Sequence, residues 1–387
     1  MAFSTIGNSQ KNTRELYVIS VEERYFSVSK TLHIIITELL KKTPLPAIKD
    51  RLNAERVSRY LFTEETVQKV IHTKILPLKI FDENLEIIKN NSTPYIRFKR
   101  KLFSVSRAKK LLGFLSPLFR GNFFRTSFVL LFLFNLFYYF TSDLFFVAPS
   151  SYHAPLFFLF TPACFIIIFF IHEFGHATAA NFNKLEAREI GIGVYFIFPV
   201  LYTDVTSIWK LPPKERIKVN LGGLYFQLIT GFLLILLSLL CIRSVVLKQI
   251  ITTNLVIIVY NLNPFFKFDG YWVYSDFFDL PNLHKQTRKH AQELLGYGLS
   301  FLHARPFAVI NKPEKNIPLT LYTCVYYPFL LYVSFYLFRL LFGAFKDVYR
   351  LFMNPASWMD MFLSLKSVLF VCMAVFFVFT FIKKRIR

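Results

Sequence analysis

Long runs of apolar residues constrain this chain more than any other feature. A helix needs about 20 such residues to cross the hydrocarbon core of a bilayer. A shorter run, 250–262, ends at Pro264, and we expect it to be a span that stops inside a site. The chain is therefore predicted to be a polytopic α-helical membrane protein with about six spans. The five longer runs occupy residues 127–147, 156–180, 221–242, 319–342 and 361–382.

The basic residues are concentrated in a few segments of an otherwise apolar chain. The composition is 54% hydrophobic and 18% charged, yet the net charge is +22. This combination excludes a disordered chain and argues against a soluble enzyme. By the positive-inside rule the basic segments face the cytoplasm, which predicts a multi-pass protein of the cell membrane with both termini cytoplasmic. Of the 46 lysines and arginines, 40 lie in residues 1–125, 182–218, 264–317 and 383–387.

The same charge bears on the partners of the chain. Basic segments beside membrane spans indicate contact with anionic membrane lipid. Nothing in the sequence resembles a nucleic-acid recognition helix or an RNA-binding strand, so no nucleic-acid partner is expected. Residues 1–30 are polar and mixed in charge, which predicts no signal peptide. The charge is interpreted as a topological signal.

Residues 12–80 show the pattern of a small α/β unit. Segments 15–20 and 24–28 are predicted strands joined by a tight turn, and a helix with an apolar face around Ile35 follows them. A second helix is predicted over 47–60, and Thr63 is placed to cap a third. Two strands and three helices resemble the winged-helix domain that recognises leader peptides of ribosomally made, modified peptides. The alternative is a generic cytoplasmic folding unit.

A metal-binding motif stands at the end of the second apolar run, in His172-Glu173-Phe174-Gly175-His176. Residues four apart on a helix share a face, so His172 and His176 can present two imidazole nitrogens to one zinc ion. Glu173 is placed to take a proton from a water molecule that zinc activates. Ionisable side chains are costly in an apolar segment, which favours this site over a pair of histidines without a metal.

The third zinc ligand must come from elsewhere in the chain. Glu186 and Glu189 follow the motif closely and are alternatives. A better candidate is Asp269, which follows the short apolar run on the same predicted membrane face as His176. Pro264 stops the helix, so the chain beyond it can turn the Asp269 carboxylate back toward the histidines.

H-E-x-x-H in one span, followed by N-P-x-x-x-x-D-G after a later one, resembles the site-2 protease family of intramembrane zinc metalloproteases. Within that family the chain is most similar to the branch called peptide zinc metalloproteases. The resemblance covers residues 125–285 and implies a core of three membrane helices. Matching stretches are 199–205, 209–212 with Lys214, Glu215 and Arg216, 262–272 and 280–283. The site residues that it implies are the zinc ligands His172, His176 and Asp269 and the catalytic base Glu173.

The family's middle core helix carries Gly-Pro-x-x-Asn. Here Gly223 matches the glycine, Leu224 replaces the proline and Gln227 stands in place of the asparagine. An amide at Gln227 is expected to hold the substrate backbone or the developing oxyanion, and the alternative is a hydrogen bond between helices.

Residues 191–202 are too short to span, and we expect a re-entrant strand or hairpin, or an interfacial loop. Asp204 is interpreted as structural, with orientation of a ligand as the alternative.

The charges after the predicted third ligand are assigned no direct role. Asp276 and Asp279 are interpreted as interfacial helix charges, with support of the metal ligands as the alternative.

The predicted domains are a winged-helix-like cytoplasmic domain over 1–96, a basic interfacial linker over 97–125, the membrane metalloprotease core over 126–285, a cytoplasmic amphipathic segment over 286–317, and two C-terminal spans with a basic tail over 318–387.

Three functions are compatible with these features. The first is a zinc metalloendopeptidase that cleaves a peptide or transmembrane segment near the cytoplasmic membrane face, in the maturation or export of a ribosomally made peptide, with export machinery as a partner. The second is regulated proteolysis of a membrane-bound regulator, although the loop 243–249 is too short to hold an inserted peptide-binding domain. The third is a non-catalytic membrane protein that binds peptides or assists export, which would not need Glu173.

Overall fold

A computed structural model of the chain describes ten segments, and every structural statement below concerns these residues. The predicted span over 361–382, the basic tail, and part of the segment 286–317 lie outside the described residues. The described segments are 3–5, 16–21, 24–57, 60–78, 80–81, 96–142, 154–195, 198–241, 244–302 and 316–353.

The N-terminal residues form the two strands and three helices that the pattern predicts, but the second helix ends at Ala54 and not at residue 60, and one short strand is added that the pattern does not predict. The three strands form an antiparallel sheet in chain order. Thr63 caps the third helix: its hydroxyl accepts a hydrogen bond from Thr66 N at 3.2 Å, and Thr66 reciprocates. Ile35, Ile48 and Ile75 are fully buried in the shared core. The elements are β1 Phe3–Thr5, β2 Leu16–Val21, β3 Arg24–Ser29, α1 Lys30–Leu40, α2 Leu45–Ala54 and α3 Glu64–Val70.

Four helices are long and apolar enough to cross a membrane, which fits a polytopic helical membrane protein. A fifth apolar helix, α8, is shorter, as the sequence predicts for the run that ends before Pro264. Two further helices follow the loop after α8. The helices are α4 Lys109–Leu115, α5 Gly121–Thr141, α6 Ala154–Phe182, α7 Pro213–Leu240, α8 Val245–Asn261, α9 Asp269–Phe277, α10 Leu283–Leu302 and α11 Ile317–Met353; the four long apolar ones are α5, α6, α7 and α11.

A second antiparallel sheet lies beside α6. Its strands are β4 Ile96–Ser104, β5 Glu189–Tyr195 and β6 Phe198–Thr203, in the order β4-β5-β6. The hairpin of β5 and β6 agrees with the expected hairpin over 191–202. β4 is a correction, because the sequence indicates only an interfacial basic stretch there. Its side chains are exposed over most of its length and do not alternate, so the strand has no period-two pattern.

Helix α7 is the centre of the helical bundle, since it packs against α5, α6, α8 and α9. Buried amides connect it to two of these neighbours. Asn135 Nδ2 on α5 donates to Leu228 O at 3.2 Å, and Asn254 Nδ2 on α8 donates to Gln227 O at 3.1 Å. Hydrogen bonds between apolar helices hold them together where hydrophobic association does not act. The bundle thereby fixes one face of α7, which faces the site.

Candidate metal centre

The two histidines of the motif lie on one face of α6, as their spacing requires. Both are buried, with 6% and 7% of their surface exposed. Their Nε2 atoms are 3.1 Å apart. The structure therefore brings His172 and His176 together with the same ring atom directed into one small space.

Asp269 completes this cluster from a distant part of the chain. It is the first residue of α9 and follows the loop that leaves α8. Its Oδ2 lies 3.2 Å from His172 Nε2, and its Oδ1 lies 3.5 Å from His176 Nε2. Among the described residues, His172, His176 and Asp269 are the one group whose ligand atoms all lie within 4.8 Å of one another.

The hydrogen-bond partner of Nδ1 in each imidazole determines whether Nε2 carries a proton or a lone pair. His172 Nδ1 lies 3.0 Å from Gln227 Oε1, and His176 Nδ1 lies 2.8 Å from Val219 O. Both partners are carbonyl oxygens, which only accept, so each Nδ1 carries the proton and donates. Each neutral ring then presents a lone pair at Nε2, the arrangement in which histidine binds a metal.

The donor set fits a zinc ion. Three lone-pair donors facing one another in a buried space repel unless a cation lies between them. Asp269 Oδ2 is buried and, among the described residues, makes no hydrogen bond. Zinc–ligand bonds of about 2.0–2.1 Å in a tetrahedron place ligand atoms about 3.3–3.4 Å apart. The observed separations of 3.1–3.5 Å agree with that edge length.

Glycines let α7 approach the histidines. A Cβ atom on Gly175 of α6 would lie 2.3 Å from Gly222 O, so the two helices are in backbone contact there. A Cβ on Gly223 would lie 2.5 Å from Nε2 of both His172 and His176. Only glycine at position 223 leaves the space in front of the two nitrogens open, which gives a physical reason for glycine at this position.

Glu173 lies beside the cluster and is partly exposed. Its backbone oxygen accepts a hydrogen bond from Thr203 Oγ1 at 2.8 Å, which joins the end of β6 to α6. Within the described part of the chain, its carboxylate has no hydrogen bond or ion pair that would occupy it. The carboxylate is therefore available for proton transfer beside the group that could hold a metal ion.

The structure places the alternative ligands elsewhere. Glu186 is exposed and pairs with Lys109 at 3.0 Å. Glu189 accepts from Tyr202 Oη at 2.8 Å across the β5–β6 hairpin. Asp204 accepts from Thr206 N at 3.1 Å, which supports its interpretation as structural.

Gln227 makes a hydrogen bond between helices, as its alternative interpretation expects, whereas the ion pair of Asp276 is not predicted from the sequence. Gln227 is fully buried; its Oε1 faces His172, and its Nε2 has no hydrogen-bond partner among the described residues. Asp276, interpreted above as an interfacial helix charge, is buried within the protein and pairs with Arg216 at 2.6 Å. One feature of the sequence could have indicated these contacts. The spacing of Arg216, Gly223 and Gln227 puts all three on one face of α7.

The fold and the site define a helical protein with candidate membrane spans and a buried group of two histidines and one aspartate that could hold a metal ion. No protein-family model matches the chain, and no solved structure matches it. The chain is similar to a Bacillus subtilis (strain 168) protein named "Putative peptide zinc metalloprotease protein YydH", with 25% identity over 145 residues. The match covers 35% of this chain and 58% of that relative, so the chain matches little more than half of the relative's length.

Proposed function

We propose that the chain is an intramembrane zinc metalloendopeptidase of the site-2 type, which hydrolyses a peptide bond near the cytoplasmic face of the membrane. The observation that carries the proposal is the convergence of His172, His176 and Asp269, next to the available carboxylate of Glu173, at the end of an apolar helix. The similarity to a protein named as a peptide zinc metalloprotease indicates a metalloprotease and supports the proposal.

The residues of the chain divide the chemistry between them. His172, His176 and Asp269 would hold zinc, which when bound supplies Lewis acidity at the scissile carbonyl and eases deprotonation of water. Glu173 accepts a proton from the attacking water as the water oxygen bonds to the carbonyl carbon. The same carboxylic acid then donates that proton to the amine nitrogen as the carbon–nitrogen bond breaks. The immediate products are a carboxylic acid, which keeps the second proton of the water, and an amine; transfer of that proton to the amine at neutral pH gives a carboxylate and an ammonium group.

Gln227 has one atom left for the substrate. Its Oε1 accepts a hydrogen bond from His172 Nδ1, so the amide fixes the orientation of that ring. Its Nε2 is buried and makes no hydrogen bond within the described residues. We assign to Nε2 the donation of a hydrogen bond to the substrate carbonyl, whose oxygen gains negative charge during the attack.

The β4–β5–β6 sheet suggests how a substrate is held. β6 is the outer strand of this sheet among the described residues, and Thr203 at its end is bonded to the backbone of Glu173. An extended peptide that adds to β6 would pass the Glu173 carboxylate. We further propose that the N-terminal unit binds a leader peptide, so that the substrate is a ribosomally made peptide that is matured or exported, with membrane lipid and export machinery as partners.

Co-expression with candidate peptides encoded nearby tests this function. Mass spectrometry should find a cleaved peptide with the wild-type chain and only the intact peptide with Glu173→Gln. Glu186→Gln is the matched control, since this exposed carboxylate pairs with Lys109 away from the site. Processing by Glu173→Gln at the wild-type rate would contradict the proposal.

A further inference from the structure

One face of α7 runs along the whole metal centre. Arg216, Asn220, Gly223 and Gln227 are spaced by four, three and four residues, which places them on a single stripe of the helix. Gly223 lies against both Nε2 atoms, and Gln227 accepts from His172 Nδ1. At its Arg216 end the stripe extends past the candidate ligands. Arg216 and Asn220 at that end have no role in the proposed chemistry.

That end of the stripe binds the helix that carries Asp269. Asp269 and Asp276 are seven residues apart on α9, about two turns, so both lie on the face directed at the centre and α7. Asp276 Oδ1 accepts from Arg216 Nη2 at 2.6 Å and from Arg216 Nε at 2.8 Å. Its Oδ2 accepts from Asn220 Nδ2 at 3.2 Å, so both carboxylate oxygens are bound to α7.

The pair is suited to fix a geometry rather than to stabilise the fold. The two side chains are only 13% and 6% exposed, and the desolvation of a buried ion pair offsets much of its attraction. The Arg216 guanidinium also lies 5.1 Å from the centre of the Trp209 ring, and Trp209 packs edge-to-face on Trp272 of α9. Charge-assisted hydrogen bonds and stacking together allow one position of the guanidinium.

The contacts of Asp276 with Arg216 and Asn220 are connected to the histidines through the backbone of α7. Asn220 follows Val219, whose carbonyl oxygen accepts a hydrogen bond from His176 Nδ1. Asp276 is thus bound to the turn of α7 that orients His176 and, through α9, to the third ligand. A shift of α9 on α7 would move Asp269 away from the lone pairs of His172 and His176.

We propose that Arg216 and Asp276 are positioning residues that hold the Asp269 carboxylate against the histidine pair, so that metal affinity depends on their ion pair. This rests on the proposed function only in taking the occupant of the three donors to be a metal. The residues touch neither the metal nor the substrate, and they act through Asp269 and Val219.

Metal affinity of the purified full-length chain tests the role. In a chelator competition, Asp276→Asn should bind zinc about 10–100-fold more weakly than wild type. The absorption spectrum of the cobalt-loaded chain should change with it, because the ligand geometry changes. Asp279→Asn is the matched control: it removes an exposed carboxylate three residues on, and asparagine tolerates the left-handed backbone there (φ 54°). It should leave both readouts unchanged.

A second variant keeps the test decisive if Asp276→Asn fails to fold. Arg216→Lys retains the charge but not the fork of donors, and it should weaken zinc binding and alter the cobalt spectrum in the same direction. Folded variants with wild-type zinc affinity and cobalt spectrum would overturn the positioning role alone. Wild-type zinc binding without peptide cleavage would overturn the proposed function alone, and a wild-type chain that binds no zinc would overturn both.

Discussion

Asp269 Oδ2 lies 3.2 Å from His172 Nε2, although α7 and α8 separate the two residues in the chain. The contact depends on two local features. Glycines let α6 and α7 touch, and the loop after α8 returns the chain so that α9 begins at the ligand itself. The candidate metal centre therefore depends on the packing of the bundle, and α6 supplies two of its three donors.

Substitution of Gly223 should abolish metal binding. In Gly223→Ala the new Cβ would lie 2.5 Å from both imidazole Nε2 atoms, in the space that the metal needs. Alanine favours a helix over glycine by about 1 kcal/mol, so lost binding would not reflect a weaker helix. Gly343→Ala is the control, since a Cβ there meets nothing within 4 Å. Zinc titration of both purified variants measures the effect, and wild-type binding by Gly223→Ala would contradict this geometry.

Removal of the amide at Gln227 should weaken zinc binding without eliminating it. Gln227→Leu leaves His172 Nδ1 without its acceptor, and loss of such a partner lowers metal affinity about 10–100-fold. Gln227→Glu keeps an acceptor and should retain most of the affinity. Gln249→Leu makes the same change on α8, where the amide oxygen makes no hydrogen bond within the described residues, and it should bind zinc normally. Equal affinities for the two leucine variants would be the contrary result.

Glu173→Gln should separate metal binding from catalysis. The side chain is not among the three donors, so zinc content should equal that of wild type. Hydrolysis of a cleavable peptide should fall by about 10²–10⁴-fold or more, because glutamine cannot accept a proton. Metal analysis and peptide cleavage on one preparation measure both quantities. Loss of zinc together with activity would instead make Glu173 part of the metal site.

The N-terminal unit should lose stability in acid through Glu38. Burial alone would raise the pKa of this carboxyl, but hydrogen bonds from Lys41 and Thr43 and the charge of Arg51 outweigh it and hold the pKa below the ordinary value of 4.5. A carboxyl with a lowered folded-state pKa stabilises the fold above pH 4.5 and loses that contribution as pH falls through the lowered value.

Glu38→Gln should therefore destabilise residues 16–78 by about 1–3 kcal/mol at neutral pH and have little effect in strong acid. Hydrogen exchange on the full-length chain measures the difference across pH. The exposed Glu65→Gln is the control and should cause a smaller change at neutral pH. A pH-independent effect of Glu38→Gln would show that its charge contributes nothing.

The sequence predicts what is local. Residues four apart on an apolar helix place His172 and His176 on one face before any packing is known. Thr63 predicts the start of a helix because N-capping involves only residues that are close together in the sequence. The long helices follow from apolar length alone, although α5 begins at Gly121, ahead of the apolar run.

The sequence predicts the approach of Asp269 to the histidines because both segments carry motif residues, but it does not predict tertiary contacts between residues outside these motifs. Arg216 and Asp276 are both charged and lie near apolar runs of the sequence. Each is therefore as compatible with a position at the membrane–water interface as with a buried ion pair. Only the crossing of α7 and α9 buries them as a pair. β4 is missed for a related reason, since its register comes from pairing with β5 and its exposed basic side chains carry no strand pattern.

Zinc content of the purified chain tests the central claim most directly. Elemental analysis should find about one zinc per wild-type chain, and Asp269→Ala, which removes the ligand from outside the motif, should lose it. Asp279→Asn should keep the full amount. A wild-type chain without zinc, or full zinc retention by Asp269→Ala, would contradict a centre built from His172, His176 and Asp269.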